Sequence, residues 1–110
     1  MPHIIVEHSS NIALDTPDFL AALHKTVASH ESVNIGAIKT RAIPLDYTIA
    51  GDENDADTLM HITLKLLPGR DDATRKAMAQ ALYDTAQSFI RPTVSLSVEV
   101  MELDAASYTK

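Results

Sequence analysis

Two kinds of apolar spacing alternate along the chain. His3-Ile4-Ile5-Val6-Glu7-His8 is short and β-branched and predicts a strand, ended by Ser9-Ser10-Asn11. Phe19, Leu20, Leu23 and Val27 then recur at helical spacing. Thr16-Pro17 supplies the start, Thr as N-cap and Pro at the first helical position, so a helix is expected from about Thr16 to about His30. Ala37 to about Ala50 reads as a second strand. Ile38, Thr40 and Ala42 share one face, and Lys39, Arg41 and Ile43 the other. Pro44 marks that strand as an edge or a bulge. Gly51 to Asp57 is an acidic turn.

The second half repeats the rhythm. In Leu59–Leu67, Met60, Ile62, Leu64 and Leu66 alternate with polar His61, Thr63 and Lys65. Pro68-Gly69-Arg70 forms a tight turn. Asp71 or Asp72 caps a helix with Met78, Ala81, Leu82 and Phe89 on one stripe, and Pro92 stops it. Val94 to about Leu103 is a last alternating strand, with Val94, Leu96, Val98 and Val100 facing in. The tail from Asp104 is polar and weakly specified.

The order β-α-β-β-α-β gives an α+β sandwich. Two tandem βαβ units, about 2–50 and 58–103, form a single domain over 1–110. Right-handed crossovers place both helices on one face of a four-stranded mixed sheet. The opposite face then carries Glu7, Lys39, Arg41, His61, Lys65, Ser97 and Glu99. It is too polar for a core. It suits solvent or the wall of a wet channel between subunits.

A net charge of −6 over 110 residues argues against nucleic acid and against anionic membrane surfaces as partners. An anionic ligand would need cations placed locally against that global charge. No cysteine is present, which excludes disulfides, thiol catalysis and cysteine metal sites. Neither a secretory leader nor an apolar run of membrane-spanning length is seen, so a cytoplasmic protein is expected.

Candidate chemistry starts at Pro2. Removal of Met1 would leave a secondary amine, and nearby cations or burial would keep it neutral at pH 7, able to take and return a proton. Arg70, between a strand and a helix, offers a planar fork to a carboxylate, with the helix N-terminus beside it; pairing with Asp71 or Asp72 is the plainer alternative. Lys39 and Arg41, side by side on one strand face, face solvent or an anionic partner. Glu7 either orients a cation or pairs with Lys65. His24 and His30 lack the i,i+4 spacing of a zinc site, and Asp52, Asn54 and Asp55 lack the remaining features of a calcium loop.

Pro2-His3-Ile4-Ile5-Val6-Glu7 resembles the N-terminus of the 5-carboxymethyl-2-hydroxymuconate isomerases of the tautomerase superfamily. The likeness continues through Gly36-Ala37-Ile38-Lys39-Thr40-Arg41 and His61-Ile62-Thr63-Leu64-Lys65. It is strongest at Gly69-Arg70 with Arg75, and it runs to about Leu103. The resemblance implies fused βαβ units, a homotrimer with active sites at subunit boundaries, and no metal or cofactor. It implies that Pro2 is the general base and acid and that Arg70 binds a substrate carboxylate. Arg41 or Lys39 is the second carboxylate binder, Lys39 lacking the planar fork. The second unit would begin at Met60, where a second catalytic proline is missing, so one site per chain is expected.

The implied substrate is a small anionic one, an unsaturated 2-hydroxy polycarboxylate such as 5-carboxymethyl-2-hydroxymuconate, in aromatic-compound breakdown. Two alternatives stand beside it. One is a non-catalytic trimeric scaffold or ligand-binding homologue that retains Met1. The other is a tautomerase of phenylpyruvate-like enols.

Overall fold

The computed structural model describes residues 2–52 and 58–110. Met1 lies outside these residues, as do positions 53–57 of the acidic turn with the calcium-like Asn54 and Asp55. Four strands and two long helices follow in the expected order: β1 (His3–Ser9), α1 (Thr16–Ala28), β2 (Lys39–Leu45), β3 (Leu59–Leu66), α2 (Asp72–Gln87) and β4 (Ser95–Glu102).

Helix α1 starts one residue earlier in its capping frame than expected. Asp15, not Thr16, is the N-cap, its carboxylate accepting from the Asp18 backbone N–H. A carboxylate caps as well as a hydroxyl and adds a favourable charge at the positive helix end. The helix ends at Ala28, where the Ser29 hydroxyl donates to the Lys25 carbonyl. Asp71 caps α2 by accepting from the Thr74 N–H at 2.8 Å. The buried stripe of α2 is Met78, Leu82 and Ala86, spaced by four; Ala81 is exposed, one position off that stripe. Phe89 lies beyond the helix and meets Phe19 edge-to-face at 5.3 Å between ring centres.

Strand β2 is shorter than the apolar run implied. Ile35–Ala37 form a 3₁₀ turn, initiated by the Asn34 side chain accepting from the Gly36 N–H. At the other end Leu45 pairs with Ser9, the last residue of β1, so the strand stops where its partner stops.

The sheet order is β2-β1-β3-β4. β1 and β2 are parallel, β3 and β4 are parallel, and the central pair β1/β3 is antiparallel. The two βαβ halves are therefore related by an approximate two-fold axis through the middle of the sheet. Residue 58, not 60, precedes β3 as residue 2 precedes β1, so Thr58 is the counterpart of Pro2. Pro44 sits on edge strand β2 within continuous pairing, so it marks an edge and no bulge.

One face of the sheet buries Ile4, Val6, Met60, Ile62, Leu64 and Leu66 against Phe19, Leu23 and Val27 of α1 and Met78 and Leu82 of α2. Leu96, Val98 and Val100 of β4 are half-buried against the same core. The Thr26 and Thr85 hydroxyls join the helices at 2.7 Å. The other face is polar, and its register forms rows: Lys39, His3, Lys65 and Met101; then Arg41, Ile5, Thr63 and Glu99; then Ile43, Glu7, His61 and Ser97. Glu7 therefore stands opposite His61, and Lys65 opposite His3, so the Glu7–Lys65 pair does not form. Thr63 is buried on this face, between Ile5 and Glu99 on the neighbouring strands.

Candidate active site

Strand direction assembles one end of the sheet. Antiparallel β1 and β3 put the start of β1 beside the end of β3 and the turn that follows it. Parallel β2 adds its own start. Pro2, Lys39, Lys65 and Arg70 thus share an end although they are far apart in sequence. Pro2 is buried, and its carbonyl accepts from the Lys39 backbone N–H at 3.0 Å.

Arg70 owes its place to the turn before it. Gly69 has φ +132°, a conformation that side-chain-bearing residues rarely adopt. The guanidinium then reaches the exit of α1. Nε donates to Ser32 Oγ at 2.9 Å, Nη2 to the Ser32 carbonyl at 3.0 Å, and Nη1 to the Leu67 carbonyl at 3.5 Å. All three acceptors are neutral. Pairing with Asp71 or Asp72 does not occur. Asp72 instead takes Arg75, which also binds Glu102 at 3.0 Å. Hydrogen bonds from Thr74 hold the Asp71 carboxyl below its usual range.

Lys39 and Arg41 project from the polar sheet face, whereas Arg70 lies at the edge of the helix layer with Ser32. One chain does not bring Arg41 and Arg70 together. Between Lys39, Arg41 and Lys65 sits His3, which the sequence marked only as a strand residue. Arg41 Nη1 donates to His3 Nδ1 at 3.1 Å, and His3 Nε2 meets the Tyr108 hydroxyl at 2.8 Å. Burial first, then the Arg41 and Lys39 cations, push the His3 pKa below its ordinary value. Tyr108 and Ser32 were also missed. Both act across long sequence separations, for which the local pattern holds no signal.

A second polar group occupies the other end of the same face. His61 Nδ1 bonds Ser97 Oγ at 2.6 Å and its Nε2 bonds Glu99 at 2.5 Å. A cavity of about 490 Å³ opens at that end too, lined by Asn11, Thr58, Arg91 and Thr93 among others, away from Pro2.

The sequence model of the 5-carboxymethyl-2-hydroxymuconate isomerase family matches residues 2–110. The chain belongs to this family. A 5-carboxymethyl-2-hydroxymuconate Delta-isomerase of Escherichia coli is 28% identical over 110 residues, covering 94% of this chain and 87% of that protein. The crystal structure of a 5-carboxymethyl-2-hydroxymuconate isomerase from Deinococcus radiodurans R1 superposes with a TM-score of 0.86 at 24% identity, covering 99% of this chain and 87% of that one. A fused 4-OT wild-type symmetric trimer superposes at 0.80 and 14% identity, over 96% of this chain and 89% of the other. This member of the isomerase family thus has the tautomerase fold and is an isomerase by descent. Its described residues contain no helix long and apolar enough to cross a membrane.

Proposed function

We propose that this family member is a cofactor-independent tautomerase of unsaturated 2-hydroxy polycarboxylates, of the kind represented by 5-carboxymethyl-2-hydroxymuconate, with Pro2 as its acid–base group. The observation that carries the reading is the placement of a buried Pro2 at the sheet end that holds Arg70, Lys39 and Lys65. Once Met1 is removed, a secondary amine in that cationic and partly desolvated setting favours its neutral form. It then takes the enol proton from the substrate hydroxyl. The electron pair moves along the conjugated system, and the ammonium returns a proton to a distal carbon.

Arg70 is suited to hold one carboxylate. Two neutral acceptors on Ser32 fix its plane and leave donors for an anion. The second carboxylate falls to Arg41 or Lys39 of another subunit, because within one chain these lie on the opposite side of the sheet from Arg70. The symmetric-trimer state of the fused 4-OT neighbour supports a homotrimer here. So do the exposed Ile43 on edge strand β2 and the exposed Tyr47 and Ile49 just beyond it. The two βαβ units, 2–50 and 58–103, act as one domain in this arrangement, in the cytoplasm.

The test uses protein whose lost Met1 is verified by intact mass. Such protein is expected to consume the dienol absorbance of a 2-hydroxymuconate, with Pro2→Ala slowed by about 10²-fold or more, the scale of general acid–base catalysis. Equal rates for the two proteins would overturn the role of Pro2.

A further inference from the structure

The polar contacts between β1, β2 and the C-terminal segment carry an inference that rests on the functional reading above. Leu103 N–H donates to the Leu66 carbonyl at 2.7 Å, tying the end of β4 to the end of β3. A single turn follows. Tyr108 N–H donates to the Asp104 carbonyl at 2.9 Å, and the Ser107 hydroxyl to the Asp104 carboxylate at 2.6 Å. That turn lays the half-buried Tyr108 ring edge-on against His3, 5.9 Å between centres, with its hydroxyl on Nε2. On the opposite side of the imidazole stands Arg41.

Proton positions in this chain are determined by chemistry. A guanidinium has donors only, so His3 Nδ1 must accept and carries no proton. A neutral imidazole then holds its proton on Nε2 and donates it to the Tyr108 oxygen. Three cations face the ring: Lys39 and Arg41 of β2 and Lys65 of β3. They reinforce the neutral state. Arg41 uses one of five N–H donors on His3 and keeps the rest for a carboxylate. Lys39, one row away on β2, has no side-chain hydrogen bond or ion pair of this kind among the described residues.

We infer that Tyr108 and His3 are positioning residues that hold the Arg41 guanidinium in place, making Arg41, not Lys39, the second carboxylate-binding group. Tyr108 fixes the His3 ring and tautomer, His3 fixes Arg41, and the C-terminal turn thereby sets selectivity for polycarboxylates over monocarboxylates.

Two measurements on the full-length, Met1-free protein decide this. Proton–nitrogen NMR of the imidazoles should show His3 as the Nε2–H tautomer at pH 7, and Tyr108→Phe, which removes an acceptor that serves the imidazolium better than the neutral ring, should lower the pH at which it titrates. In kinetics, Tyr108→Phe should raise KM for 5-carboxymethyl-2-hydroxymuconate about three- to tenfold, the scale of one net hydrogen bond, with kcat moving less. KM for the monocarboxylate enol of phenylpyruvate should move less than about twofold. In an Arg41→Gln background the Tyr108→Phe effect on KM should vanish, since the two changes act on one interaction. Lys39→Met should leave the Tyr108→Phe effect intact. An imidazolium or Nδ1–H His3 at pH 7, or additive Tyr108 and Arg41 effects, would overturn the relay. If Met1-free wild type turns over neither substrate, the functional reading above is what has failed, and the His3 spectra alone then judge the relay.

Discussion

Arg70 binds Ser32 twice across 38 positions of sequence, once through the side-chain hydroxyl and once through the main-chain carbonyl. The double attachment orients a charge without neutralising it. Arg70→Ala should therefore cost catalysis heavily, about 10²–10³-fold in kcat/KM, comparable to removing a donor that stabilises developing negative charge. Ser32→Ala keeps the carbonyl acceptor and should cost only about two- to tenfold. Steady-state assays at the dienol absorbance check both.

His3 makes stability depend on mildly acidic pH. Its folded pKa lies below the ordinary value of 6.5 because burial and the Arg41 and Lys39 cations disfavour the imidazolium. Between the folded value and 6.5 the unfolded chain binds more protons than the folded one, so stability falls as pH drops through that window and levels off below it. His3→Gln should flatten this segment of a urea-midpoint-against-pH curve. An unchanged curve in His3→Gln would show that other groups produce it.

The two neighbouring positions on α2 should respond very differently to substitution. Leu82 is fully buried and Leu82→Ala should cost about 2–5 kcal/mol, a large part of the total stability of a small domain. Ala81 is exposed, and Ala81→Glu should stay within about 0.5 kcal/mol. Chemical denaturation of the two variants gives the comparison directly.

Gly69→Ala tests the turn before Arg70. An added Cβ meets nothing within 4 Å, so crowding is not the obstacle. The φ of +132° is, and a side chain there should cost about 1–2 kcal/mol or shift the turn. The expected signature is a lowered urea midpoint together with a raised KM, since any relaxation of φ moves the Arg70 guanidinium off Ser32.

Elements whose identity depends on local alternation were legible before the structure. Met60, Ile62, Leu64 and Leu66 face the core, and Asp71 was one of two named caps. Features set by distant partners were not. The length of β2 follows from where β1 ends, and no pattern within Ala37–Ala50 records that. Asp15 and Thr16 are both competent caps, so composition alone could not rank them. Arg70 was singled out correctly as a turn residue, but its partner Ser32 belongs to another unit of structure. His3 and Tyr108 are 105 positions apart, and only the sheet register and the final turn unite them.

The near two-fold relation between the halves has a covalent consequence. Each half offers the same strand start, one led by Pro2 and the other by Thr58. A polypeptide has a single amino terminus, however, so the Thr58 nitrogen, inside the chain, is an amide with no useful basicity. Substituting proline for Thr58 could not restore an amine there. The two strand starts are alike in place but not in bonding, and even scission of the linkage before Thr58 would leave a primary amine there, not the secondary amine proposed for Pro2.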